Sequence, residues 1–246
     1  MRTDTPQAIL LKNYKPSAYL IDHVDLDVRL VPSATRVGAK LKMRPNPAWS
    51  GKRPALRLDG EQLDLKRVAL DGETLPEETY STDADSLTVA TTPDAPFELE
   101  TDVIIDPKAN TALSGLYLSN GNFCTQCEAE GFRRVTYFLD RPDVLARYRV
   151  RIEAEKASVP VLLANGNLVD EGDMPNGRHF AVWEDPFPKP SYLFALVAGD
   201  LAMVKDHFVT ASGRKVTLRI FVEHGKEDRC DWAMASLKKS MAWDEK

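Results

Sequence analysis

The chain has 246 residues, of which 43% are hydrophobic and 28% charged, with a formal net charge of −5; this is a globular composition, long enough for one large or two small domains. The acidic balance and the lack of a basic run argue against a nucleic-acid partner, since neutralising phosphates needs a basic face. No segment approaches the length of a membrane span, and the apolar run within MRTDTPQAILLKNYKPS is too short for a secretory signal, so a cytoplasmic location is expected.

In chain order, the first half predicts strands. Val24, Leu26, Val28 and Leu30 alternate with Asp25, Asp27 and Arg29, and Val37, Ala39, Leu41 and Met43 repeat the period of two. Asp59-Gly60 and Asp71-Gly72 punctuate the short runs Leu56/Leu58, Leu63/Leu65 and Val68/Leu70 in the manner of successive hairpins. Leu87/Val89, Phe97/Leu99 and Val103/Ile105 continue the meander. Short strands with many turn signals and no long helical period indicate antiparallel sheets packed as a sandwich.

The second half keeps this character. Val150, Ile152 and Ala154 alternate with charged residues, Asn165-Gly166 and Asn176-Gly177 are turn signals, and the three prolines of Asp185 to Pro190 exclude a helix there. Tyr192 to Ala198 is continuously apolar and predicts a strand covered on both faces, ending at a boundary at Gly199-Asp200. Beyond it, Phe208 to Thr210 and Val216 to Val222 flank Ser212-Gly213 as a hairpin, and Met234, Leu237 and Met241 stand at helical spacing. One hairpin and one helix do not make a domain; they read either as a docked terminal helix or as a chain cut just inside a second domain.

Few residues of the chain carry a recognisable catalytic motif. None of His23, His179, His207 and His224 belongs to a His-Glu-x-x-His zinc helix, and phosphate loops, dinucleotide fingerprints and Gly-x-Ser-x-Gly are missing. Glu153, Glu155, Glu77 and Glu78 read as solvated faces. Cys124 and Cys127 form a C-x-x-C without a second ligand pair for zinc and without a following helix for redox work, so two ordinary reduced thiols, one of them buried, are expected.

The stretch Phe123 to Asp143, FCTQCEAEGFRRVTYFLDRPD, concentrates the remaining polar chemistry. If extended, it places Gln126, Glu128 and Glu130 on one side and Cys127, Ala129 and Gly131 on the other. On the residues alone, Glu128 reads as an exposed glutamate or one paired with Arg133 or Arg134. Asp140-Arg141-Pro142-Asp143 reads as a turn stiffened by proline and an ion pair.

Gln126 to Arg133, Tyr137 to Val144, Asn165-Gly166-Asn167 and Asp185 to Asp200, in that order, resemble the amino-terminal part of the M1 zinc metallopeptidase family, in its bacterial alanyl aminopeptidase branch. The likeness runs, more loosely, from Tyr19 to Glu245. It implies a mainly β fold: a saddle-like antiparallel β-sandwich domain over residues 1–200, then, over 201–246, the first hairpin and helix of a truncated thermolysin-like α/β catalytic domain. It also implies a parent enzyme that removes N-terminal residues from peptides with a free N-terminus, using zinc held downstream of Lys246. Gln126 and Glu128 match the pair that binds the substrate's α-amino group. No catalytic or metal-binding residue is expected in this chain, which alone would be inactive and zinc-free. Its partners would be such peptides and the downstream catalytic domains in cis, with no nucleic acid or membrane, in a monomer. The alternative is a stand-alone, non-enzymatic β-sandwich that binds proteins or peptides.

Overall fold

The computed structural model describes residues 10–246. Residues 1–9, part of the stretch considered above as a leader, lie outside the described residues. Strands β1 (Tyr19–Arg29) and β2 (Thr35–Pro45) form the first hairpin, followed by β3 (Leu56–Asp59), β4 (Asp64–Leu70), β5 (Glu73–Thr74), β6 (Tyr80–Thr82), β7 (Ser86–Val89) and β8 (Phe97–Ile105). A further hairpin, β9 (Gly115–Ser119) and β10 (Asn122–Gln126), leads to β11 (Leu145–Glu155), β12 (Val161–Ala164), β13 (Asn167–Asp173), β14 (Arg178–Pro190) and β15 (Leu196–Gly199). Strands β16 (Ala202–Val209) and β17 (Lys215–Val222) pair as the last hairpin before helix α1 (Asp231–Asp244). No helix among the described residues is long and apolar enough to cross a membrane.

The architecture is mainly β, as expected. An eight-stranded sheet runs in the order β13-β14-β11-β1-β2-β8-β4-β5, beside a four-stranded sheet β12-β15-β10-β9, a three-stranded sheet β3-β7-β6 and the separate β16-β17 pair. Alternation explains which faces are buried. Val24, Leu26 and Val28 point inward together with Val37, Ala39 and Leu41 of β2. The bulge between Ile21 and His23 adds one residue, so Ile21 and Val24, three apart, both face the core. One contiguous core runs from Ala18 to Ala198, whereas Leu218, Cys230 and Met234 are buried outside it.

Several expectations need correction. The large sheet is not wholly antiparallel: β1 pairs with β11 in parallel, opposing Asp25 to Arg149 and Asp27 to Arg151. These opposite charges stand 3.5 Å apart in both pairs, an attractive cross-strand match on the outer face. Asp59-Gly60 closes no hairpin, since β3 and β4 belong to different sheets. Its glycine is needed for close approach, because a Cβ there would lie 2.3 Å from the Tyr137 ring. Asn165-Gly166 likewise carries the chain from one sheet to another rather than closing a hairpin. Asp71-Gly72 and Asn176-Gly177 do close hairpins, with positive φ at all four residues.

Phe97 to Ile105 is one strand rather than two. The apolar run Tyr192 to Ala198 is broken by a 3₁₀ turn, Ser191–Leu193, before β15 begins, so it is not one doubly covered strand. Glu153 is not solvated: it is buried and receives hydrogen bonds from Arg178 Nε at 2.6 Å and Arg151 at 3.0 Å. Charge on a strand predicts solvent only when no other strand delivers a counter-charge.

Candidate functional site

Strand β10 is held between β9 and β15, and its pairing ends where Gln126 faces Gly115. The extended path expected through Gly131 ends there too. Cys127 still turns inward, but Glu128 to Gly131 form a tight turn closed by the Gly131 N–H donating to the Cys127 carbonyl at 2.8 Å. A 3₁₀ turn, Phe132–Arg134, follows. Gln126, Glu128 and Glu130 are all exposed, the last two because the backbone turns and not because of the pleat. The peptide between Glu128 and Ala129 is cis.

Two glycines let this turn nest against its neighbours. A Cβ on Gly131 would lie 2.4 Å from the Gln126 carbonyl oxygen and 2.9 Å from both Cys127 Cα and Ser114 Oγ. Gly115, at φ +75°, has no room either, with Arg134 Cβ 2.5 Å from where its own Cβ would stand. Below the turn, the fully buried Phe132 packs edge-on against Phe138, Phe194 and Tyr148, with ring centroids at 4.8, 5.0 and 6.0 Å. The tip is thus exposed while its base is pinned. Periodicity does not flag Gly115, Gly131 or Phe132, whose roles depend on contacts remote in sequence.

The electrostatics of the tip follow from where the arginines go. Arg134 donates to Gln62 Oε1 at 2.7 Å and pairs with Glu61 at 2.7 Å. Arg133 pairs with Asp140 at 3.1 Å, Glu130 at 3.6 Å and Asp59 at 3.8 Å. Neither meets Glu128, whose carboxylate has no ion pair among the described residues. Gln126 Nε2 donates to the Glu128 backbone carbonyl at 3.3 Å, bracing the turn from its own strand. Glu61, Asp85, Ser114, Glu128, Glu130 and Arg134 line an open depression of about 880 Å³. Four carboxylates against one guanidinium give it a field suited to a cation.

The C-x-x-C adds no second centre. Cys124, Cys127 and Cys230 are free, Cys124 half-buried and Cys127 buried. Burial, reinforced by the Asp140 charge, pushes the Cys127 thiol up to about 12, and burial together with Glu223 raises that of Cys124. Neither supplies a ready thiolate at neutral pH. Among the described residues no group of three or more His, Cys, Asp or Glu side chains could hold a metal ion. The Asp140 to Asp143 segment is the ion-paired turn expected, with Arg141 Nε 2.7 Å from Asp143.

Comparisons with known proteins identify the family of the chain. The chain is 56% identical over 245 residues to aminopeptidase N of Caulobacter vibrioides, a match that takes in 100% of this chain and 28% of the relative. Its structure superposes on Legionella pneumophila aminopeptidase A, solved in complex with aspartic acid, with a TM-score of 0.91 and 39% identity over 96% of this chain and 28% of that one. The fold alone is shared with an M1 zinc metallopeptidase of Deinococcus radiodurans, at 18% identity and a TM-score of 0.69 over 85% of this chain and 48% of that one. The chain therefore spans little more than a quarter of the length of the Caulobacter and Legionella proteins. Residues 18–193 match the Peptidase M1 N-terminal domain, and the chain belongs to that family.

Proposed function

We propose that this chain is the substrate-anchoring amino-terminal region of a zinc-dependent aminopeptidase, with Gln126 and Glu128 holding the free α-amino group of a peptide. The observation that carries the reading is the unpaired, exposed Glu128 carboxylate at the tip of a pinned turn, left without a counter-charge although two arginines follow within six residues. An α-ammonium supplies what is missing: one positive charge and three donors. At an effective dielectric near 20 and 4 Å separation, the attraction is about 4 kcal/mol. An acylated or internal peptide nitrogen offers no charge, and enclosing Glu128 against it would cost roughly 3–5 kcal/mol. The carboxylate would thereby set the register of an exopeptidase. The Legionella relative, solved with a free amino acid, is in keeping with such a site.

Among the described residues no cluster of His, Cys, Asp or Glu could hold a zinc ion, and burial keeps the Cys127 thiol from ionising readily. In this reading the metal and the groups that cleave the peptide lie downstream of Lys246, in a catalytic domain that begins near Leu201. Support for that boundary comes from the contiguous core ending at Ala198, with Leu218, Cys230 and Met234 buried separately beyond it. A cytoplasmic setting suits three unpaired cysteines. The test is Glu128→Ala in the full-length protein, with kcat/KM expected to fall at least about tenfold for substrates with a free amine. Unchanged kinetics would overturn the anchoring role.

A further inference from the structure

Asp140 is the most deeply buried carboxylate near the site, with its side chain 0% exposed. A charge withdrawn from water to that degree must be met by donors, and its donors come from two separate segments. Oδ2 accepts from the backbone N–H and the Nε–H of Arg133, both at 3.1 Å, and Oδ1 accepts from Ser191 Oγ at 2.5 Å. The Asp140 backbone carbonyl accepts a further Arg133 N–H at 3.3 Å, and its own N–H donates to Asp59 Oδ2 at 3.3 Å. Arg133 belongs to the 3₁₀ turn that closes the Glu128 tip. Ser191 opens the turn leading into β15, the strand that pairs with β10. Asp59 ends β3.

One buried residue therefore ties the base of the tip to both flanking elements, its carboxylate joining Arg133 to Ser191 and its backbone N–H reaching Asp59. It also decides where the Arg133 charge goes. The guanidinium lies 3.6 Å from Glu130, two residues beyond Glu128, yet its closest carboxylate is that of Asp140. Glu130 and Asp59, at 3.6 and 3.8 Å, are the more distant partners of Arg133, and Asp140 is the one that also bonds its backbone N–H.

We propose that Asp140 is a positioning residue for the amine anchor, fixing the Gln126–Glu128 turn through Arg133 and Ser191. The inference rests on the anchoring role of Glu128 proposed above. A merely structural ion pair would make the same contacts, so the test must report whether Asp140 acts through Glu128.

The experiment is a double-mutant cycle in the full-length protein, with kcat and KM measured on an aminoacyl substrate bearing a free amine for Glu128→Ala, Asp140→Asn and the combined variant. Asp140→Asn keeps the shape but replaces one acceptor oxygen with a donor and removes the charge. It is expected to lower kcat/KM about tenfold, largely through KM, and to lower it no more than about twofold further once Glu128 is alanine. A tenfold loss that persists in the Glu128→Ala background, or no loss in Asp140→Asn, overturns the positioning role while the anchor stands. Unchanged kinetics in Glu128→Ala overturn the anchor itself, and the positioning role with it. If Asp140→Asn does not fold, Ser191→Ala, which removes only the hydroxyl donor to Oδ1, carries the same cycle. Its expected loss is about threefold, again confined to the background that retains Glu128, and a loss equal in both backgrounds or absent from both overturns the proposal.

Discussion

Truncating Phe132 to alanine tests the claim that the exposed tip depends on a pinned base. Phe132 is fully buried, with three aromatic rings set edge-on around it at 4.8 to 6.0 Å. Removing a buried phenylalanine costs about 3–5 kcal/mol, the upper part of the range applying where the site cannot collapse. Collapse is restricted here, since the Phe132 carbonyl accepts the Val135 N–H at 2.8 Å and the Thr136 N–H at 3.3 Å while Gly131 is locked to Cys127. The expected loss is therefore about 4 kcal/mol. The edge-to-face terms of about 0.5–1.5 kcal/mol each are not added, because the truncation already removes those contacts. Urea denaturation followed by circular dichroism reads the change as a lower midpoint with an unchanged slope. Phe187→Ala is the control: that ring is 75% exposed and its loss should be worth under about 0.5 kcal/mol. A Phe132→Ala loss below about 1.5 kcal/mol, or one equal to the control, would refute the reasoning.

Two further substitutions address the turn and the large sheet. Gly131→Ala forces a methyl against the Gln126 carbonyl and Cys127 Cα, backbone atoms that cannot swing away, so about 2 kcal/mol or more of stability should be lost in the same urea assay. Gly38→Ala, where the nearest atom is 3.9 Å from the added carbon, should be neutral or slightly stabilising; equal losses at the two glycines would contradict the close-approach argument. At Glu153 burial opposes ionisation, but the hydrogen bonds from Arg178 and Arg151 prevail and hold its carboxyl below the usual range. A depressed folded pKa means a stabilisation that is complete above about pH 4.5 and lost as pH falls through the lower folded value. Glu153→Gln should thus cost about 1–3 kcal/mol near neutrality, with the gap to wild type narrowing toward pH 3. A gap constant across that range would show that the ionised pair contributes nothing.

The strands were legible because their period of two is a local property, and the same locality explains what was misread. Val24, Leu26 and Val28 declare a half-buried strand, but nothing in their spacing says that the next strand over is Leu145–Glu155, more than 100 residues away and parallel. The charges that match there, Asp25 with Arg149 and Asp27 with Arg151, become informative only once the pairing is known. Glu153 was misread for the same reason, since Arg178 reaches it from a neighbouring strand. Gly60 looked like a turn residue because Asp-Gly so often is, whereas a tyrosine ring far along the chain requires the missing Cβ.

At the site, the periodic reading placed Gln126 and Glu128 on one side of an extended strand, and the chain turns between them. The resemblance to M1 peptidases singled out these two residues; on composition alone Glu128 should have been neutralised by Arg133 or Arg134. Why it is not neutralised lies in residues that never touch it. Asp140 takes one arginine from within, and Glu61, on the connection between two other strands, takes the other. An amine anchor needs a carboxylate that is ionised, exposed and unmet, and with 32 Lys and Arg against 37 Asp and Glu the composition leaves some carboxylates unmatched without saying which. That Glu128 stays unpaired therefore follows from where the two arginines beside it in sequence are held, which only the folded chain shows.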